Sequence, residues 1–187
     1  GTTTLKSTPV RVEGLTGAVD VAAGQDFSMA LKSDGTVWTW GFNHTGQLGD
    51  GTTTTRLTPV HVDGLTGAVA VAAGLYHSLA VKSDGTVWTW GFNNFGQLGD
   101  GSDANSRSTP VQVGGLTAVS TVAGGRYHSL AMKSDGTLSA WGYNEDGECG
   151  DGLTTNHYSP IQVNTQRGAR AISGGRYHSL AQKSDGT

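Results

Sequence analysis

"GLYHSLAVKSDGTVWTWGFNNFGQLGDGS" runs from Gly74 to Ser102, and "GQDFSMALKSDGTVWTWGFNHTGQLGDGT", from Gly24 to Thr52, writes nearly the same words fifty residues earlier. Self-similarity at a fixed period has to be settled before any local motif, because it decides the whole architecture. Pro9, Pro59, Pro110 and Pro160 mark the period, and Trp40, Trp90 and Trp141 keep it. The repeats are residues 1–50, 51–100, 101–151 and 152–187, and the last stops where the second reaches Thr86.

One repeat contains four short stretches that read as strands: TPVHV (58–62), AVAVA (68–72), HSLAVK (77–82) and TVWTWG (86–91). Each alternates or is rich in β-branched and aromatic residues, and Gly, Asp or Asn turns bound it. Ser83-Asp84-Gly85-Thr86 is the strongest local signal, since Asp-Gly between apolar strands accepts the positive φ of a tight hairpin. The same turn recurs at Asp34, Asp135 and Asp185. Four strands per unit of about fifty residues, with no helical period, predict an all-β chain: a β-propeller of four-stranded blades.

Blades converge on an axis, so the small-residue strand AVAVA belongs innermost. Proline lacks a ladder donor and belongs on the outer edge. The blades are then 18–62, 68–113 and 119–163, within a single propeller segment spanning 1–187. Residues 169–184 supply two inner strands of an incomplete fourth blade, and Thr8–Val12 an outer strand.

The composition narrows the function. A formal net charge of -3, from 12 basic and 15 acidic residues without runs, argues against nucleic acid as a partner. No stretch approaches the roughly 20 apolar residues of a membrane span, and the first residues lack the order of a signal peptide. The expectation is a soluble chain. Cys149, the single cysteine, stands where other copies have Leu48 and Leu98, so a buried apolar thiol is expected and the compartment stays undetermined. Near-identical copies rich in Thr and Gly suggest a recently duplicated bacterial chain, compatible with secretion.

The repeated words resemble those of the regulator of chromosome condensation family. "GLYHSLAVKSDG" from Gly74, "GRYHSLAMKSDG" from Gly125 and "GRYHSLAQKSDG" from Gly175 carry the resemblance, with "WGFNHTGQLGDG" from Trp40, "WGFNNFGQLGDG" from Trp90 and "WGYNEDGECGDG" from Trp141. It covers essentially the whole chain. It implies a ring usually of seven blades, of which this chain supplies about half, completed by a longer parent chain or by a second copy. Roles in the family include nucleotide exchange on a small GTPase, chromatin binding, ubiquitin-ligase substrate docking, plant ultraviolet-B sensing and β-lactamase inhibition. The resemblance therefore implies a face that binds protein. The photoreceptor role does not carry over, because Gly125-Arg126-Tyr127-His128 holds no tryptophan.

Several residue sets invite a chemical reading. His77, His128 and His178 occupy one position in three copies, but Phe27 holds it in the first, which a ring of metal ligands would not accept. They read as structural histidines. Asp34, Asp84 and Asp135 sit in turns at the ends of separate blades and cannot converge as an acid and base must. Asn43 and Asp50 lie in Gly-rich loops without calcium-loop spacing and read as turn chemistry. Trp40, Trp90 and Trp141 read as packing between blades. No catalytic set, phosphate loop, metal site or cofactor is expected, and a hydrolase or lyase site at the channel mouth would need acid and base residues that the sequence does not supply.

Positions that differ among near-identical copies are free of the frame's demands. The loops between strands one and two share a face with those between strands three and four. There the text varies: Gln25-Asp26, Leu75-Tyr76, Arg126-Tyr127 and Arg176-Tyr177 in the inner loops, and His44, Asn94-Phe95 and Glu145-Asp146 in the outer ones. On the opposite face Ser-Asp-Gly-Thr and Gly-Leu-Thr barely change. Aromatic and arginine side chains on rigidly held loops suit a protein-binding surface. The expected function is a non-enzymatic protein-binding scaffold, with a self-assembling half-propeller as the alternative and exchange-like or inhibitory roles implied by the resemblance alone.

Overall fold

Alternation of apolar residues produces the strands, and the hairpin turns set their order. In the computed structural model, which describes residues 1–163 and 168–187, β1 (Ala18–Ala23), β2 (Phe27–Lys32), β3 (Val37–Gly41) and β4 (Arg56–His61) form one sheet in that order. β5 (Ala68–Ala73), β6 (His77–Lys82), β7 (Val87–Phe92) and β8 (Ser106–Gln112) form the second sheet. β9 (Val119–Gly124), β10 (His128–Lys133), β11 (Leu138–Gly142) and β12 (His157–Gln162) form the third. β13 (Ala169–Gly174) and β14 (Ser179–Lys183) pair as the inner half of a fourth. Every pairing within the sheets is antiparallel, and the first strands of neighbouring sheets touch one another, as blades around an axis do. The chain is an incomplete all-β propeller.

Pro59, Pro110 and Pro160 all fall on the outermost strands, as the missing amide donor requires. The hairpin chemistry differs in detail from the expectation. Gly35 alone takes the positive angle, at φ +77°, while Asp34 works through its carboxylate, which accepts from the Thr36 amide at 3.0 Å and from the Thr36 hydroxyl. Those hydrogen bonds hold the Asp34 carboxyl down at about 2.

Thr8–Val12 does not form the outer strand that the repeat text predicts. An outer strand needs the free edge of a third strand to pair with, and the fourth blade consists of β13 and β14 only among the described residues. Val10 is 60% exposed.

The core lies between blades. Leu31, Leu48, Val62, Val71 and Trp90 join the first blade to the second, Leu79, Val81, Val119, Val122 and Trp141 the second to the third, and Leu130, Met132, Cys149 and Ala169 the third to the half-blade. A polar clasp runs through each of these apolar layers. The Gln47 carbonyl, in the loop after β3, accepts from Ser78 Oγ at 2.8 Å and from Trp90 Nε1 at 2.9 Å, both in the second blade. The Gln97 carbonyl accepts from Ser129 Oγ and Trp141 Nε1 at 2.8 and 2.9 Å. His77 Nε2 lies 2.9 Å from Ser129 Oγ. The single proton of Ser129 goes to Gln97, so the imidazole must donate and carries its proton on Nε2. His128 repeats the bond to Ser179 at 3.0 Å, and Ser179 donates to the Glu148 carbonyl at 2.6 Å.

One backbone position breaks the repeat. Gly17, Gly67 and Gly168 have φ of +71°, +70° and +76°, and their counterpart Ala118 is forced to +56°. A left-handed non-glycine residue costs roughly 1–2 kcal/mol, partly offset by the greater freedom of glycine in the unfolded chain. Ala118→Gly should therefore stabilise the fold by about 0.5–1 kcal/mol, read as a rise in melting temperature of roughly 1–4 °C; an unchanged or lower melting temperature would contradict this account.

Candidate functional site

At one end of the axis each blade presents a Gly-x-x-His turn, with Phe in place of His in the first. The Gly74 and Gly125 amides donate to the carbonyls of His77 and His128, each at 2.9 Å. A Cβ on Gly74 would lie 2.0 Å from His77 Cε1, so no other residue fits beneath the ring. Neighbouring turns are tied sideways: Gln25 N donates to Leu75 O at 3.1 Å, Leu75 N to Arg126 O at 3.3 Å, and Arg126 N to Gly175 O at 3.2 Å. The backbone of the variable residues is thus fixed without any bond from their side chains. Gln25, Leu75, Arg126 and Arg176, with the glycines, line a depression of about 550 Å³ at the mouth of the channel.

Outer loops are drawn onto the same face. Phe42 N donates to Asp26 O at 2.8 Å, and Phe92 N and Tyr143 N donate to Tyr76 O and Tyr127 O at 2.9 Å. Each outer loop is built around a buried asparagine: Asn43 Oδ1 accepts from Leu48 N at 2.9 Å, and Asn43 Nδ2 donates to Asp50 Oδ1 at 3.2 Å and Thr54 O at 3.1 Å. Asn93 and Asn144 do the same work. On this support Phe95 packs against Tyr127 and Tyr143, with centroids 5.1 Å away in both cases, and Phe92 packs on Tyr127 at 5.7 Å. Phe42 stacks with His44 at 4.3 Å and approaches Tyr76 at 6.1 Å.

Phe95 and Tyr127 therefore meet on a pad that crosses the second and third blades, Arg126, Tyr177 and Arg176 continue it into the half-blade, Tyr76 belongs to a second group with Phe42 and His44 across the first and second blades, and Leu75 lines the mouth. His44, Asn94, Glu145 and Asp146 are exposed on the outer loops, where the Tyr143 hydroxyl donates to Glu145 at 3.3 Å. Gln25 lines the mouth from the first blade, and its Nε2 donates to Asp26 Oδ2 at 3.0 Å. Sequence reasoning passed over Phe42, Phe92 and Tyr143 because they are aromatic in every copy and so read as frame. The signal that finds them is their place one step before the buried asparagine. Tyr158, on the outer strand of the third blade, donates its hydroxyl to the Asn94 carbonyl at 3.4 Å.

The other candidates have structural roles. His77 and His128 are fully buried in the clasp, and burial above all lowers their pKa values to about 3 and about 4. His178, at the same position in the half-blade, is exposed. Trp90 and Trp141 are fully buried, whereas Trp40, with no blade before it, is half-buried. Asp34, Asp84 and Asp135 each brace their own hairpin. Asp50 accepts from Arg56 Nε at 2.7 Å and stabilises the outer loop. Cys149 is a buried thiol pushed up to about 12, chiefly by burial. No three His, Cys, Asp or Glu side chains come together among the described residues.

A rigid repeated frame with varied side chains along one loop face defines a propeller of the kind that offers a binding surface. Over residues 1–187 the chain matches the RCC1-like domain, and it belongs to that family. It is 37% identical over 150 residues, 78% of its length, to the human E3 ubiquitin-protein ligase HERC2, and 36% identical to the mouse protein, but spans only 2% of either. Its fold is similar to that of yeast RCC1 (Prp20) bound to Kap60, with a TM-score of 0.83 at 24% identity, covering 97% of this chain and 45% of that one. Human WBSCR16 shares the fold at a TM-score of 0.69 and 20% identity, covering 93% and 60% of the two chains.

The clasp predicts an acid sensitivity. Unfolded histidine titrates near 6.5, whereas His77 and His128 stay neutral in the folded state until about pH 3–4. Between those values the unfolded chain binds more protons, so stability is full above about pH 6.5 and falls as pH drops through the window. The lowered carboxyls act below it, from about pH 4 downward. Replacing His77 and His128 by Phe, as the first repeat does at Phe27, should flatten the fall in urea midpoint between pH 7 and pH 4.5; an equally steep fall in the double variant would refute the assignment.

Proposed function

We propose that the chain is a non-enzymatic protein-binding module that captures its partner on the face bearing Tyr76, Phe95, Tyr127 and Tyr177. The observation that carries this reading is the aromatic packing across blades on that face: Phe92 and Phe95 against Tyr127 and Tyr143 between the second and third blades, and Phe42 against Tyr76 between the first and second. Rings ordered before contact lose little freedom on binding, which is how a few residues come to dominate an interface. Its likeness to proteins that bind others supports it: yeast RCC1 was solved bound to Kap60, and Prp20p was described with its binding to Gsp1p and histones. Exchange-factor or inhibitor activity, if the chain has either, would be exercised through the same face.

A photo-crosslinker at Phe95 should capture a partner, and one at Thr86 on the opposite face should not. Changing Tyr76, Phe95, Tyr127 and Tyr177 together to Ala should abolish capture with little change in melting temperature. Capture that survives the quadruple change would end the proposal.

A second reading is favoured by the two flanks. Val21 is 70% exposed where Val71 and Val122 are 9% and 6%, and Leu180 is 62% exposed where Leu79 and Leu130 are 0% and 7%. Both surfaces have the residues of a blade-to-blade interface, so the leading flank of one copy fits the trailing flank of another. The isolated chain should then exceed 19.3 kDa by light scattering as concentration rises, and Val21→Asp with Leu180→Asp should return it to monomer. A wild-type monomer at every concentration would dispose of self-assembly.

A further inference from the structure

The third blade and the half-blade place two arginines at the channel mouth under unusual constraint. The Arg126 guanidinium sits 4.8 Å from the centroid of the Tyr127 ring and 5.4 Å from that of Tyr177, and it donates to the Tyr177 hydroxyl. Arg176 lies 5.1 Å from the centre of the Tyr177 ring. Rings and cations therefore alternate: Tyr127, Arg126, Tyr177, Arg176. Stacking orders each guanidinium and strips part of its water while leaving most of its five N–H donors free.

Neither arginine has a carboxylate within ion-pair distance among the described residues, whereas Arg56 pairs with Asp50 and Arg107 with Asp100. Elsewhere on the face the charge changes sign. Glu145 and Asp146 are exposed on the outer loop of the third blade, farther from the axis, and Asp26 lies in the first-blade turn, two blades from Arg126.

We propose that the stacked Arg126 and Arg176 form a carboxylate-binding centre in the protein-binding face, so that the partner presents an acidic peptide segment to the channel mouth. This rests on the binding-face reading above and names the chemistry of the partner. Planar guanidinium groups with free paired donors match carboxylates in bidentate geometry. A small basic centre with acidic residues beyond it accepts a short acidic segment. It repels the long continuous polyanion of a nucleic acid, which needs a broad basic track.

The test uses the whole 187-residue chain and fluorescence anisotropy of a labelled oligoglutamate peptide, its oligoglutamine counterpart and an oligothymidylate. Oligoglutamate should bind saturably, roughly tenfold or more tightly than oligoglutamine, and more weakly as salt rises. Arg126→Gln with Arg176→Gln should lose at least that factor, while Lys133→Gln, near the opposite hairpin, should leave binding unchanged. Equal binding of the neutral peptide, tighter binding of oligothymidylate, or indifference to the arginine changes would overturn the inference. If the peptide fails while the crosslinker at Phe95 still captures a partner, only the acidic chemistry falls; if both fail, the binding face falls with it.

Discussion

A backbone carbonyl that accepts two hydrogen bonds from the next blade is the interaction on which this molecule depends. Gln47 and Gln97 each receive a serine hydroxyl and a tryptophan indole from across the apolar layer. A buried carbonyl without partners would cost about 1–3 kcal/mol, so the clasp removes a penalty as much as it adds an attraction. It also fixes the relative orientation of neighbouring blades, which hydrophobic contact alone leaves loose. The histidine that reaches forward to the same serine completes a chain of three groups in a dry layer. Phe27 shows that the serine-to-carbonyl bond persists without it, since Ser78 still donates to Gln47 beside a phenylalanine.

Because the clasp and the glycine turns fix the backbone at the channel mouth, the residues between glycine and histidine can vary without unfolding anything. That separates two kinds of conservation within one chain. Gly74, His77, Ser78, Trp90 and Asn93 hold the blade, while Leu75, Tyr76, Asn94 and Phe95 ride on it. The aromatic pad belongs partly to each class. Phe92 and Tyr143 are set by their place just before the buried asparagine, and Phe95 is added where the first repeat has Thr45 and the third Asp146.

Strand number, strand order and the outer place of the proline strand were legible because each follows from a local rule: alternation, small residues at an axis, and the missing amide of proline. The failure at Thr8–Val12 has the opposite cause. Its text is that of an outer strand, but pairing is decided by a neighbour that no local rule supplies. The direction of the histidine bond was equally invisible, since it joins residues 52 positions apart. The stacking of Arg126 between Tyr127 and Tyr177 was hidden likewise, because it crosses from one repeat to the next.

The clasp carries no address. The first and second blades each offer their successor the same carbonyl, and the second and third answer it with the same serine and tryptophan, so the clasp does not tell the second blade from the third. Covalent order alone enforces the correct sequence of docking. During folding, a blade that meets its counterpart from another molecule finds an equally good fit, which makes exchange between chains the natural error of such an architecture.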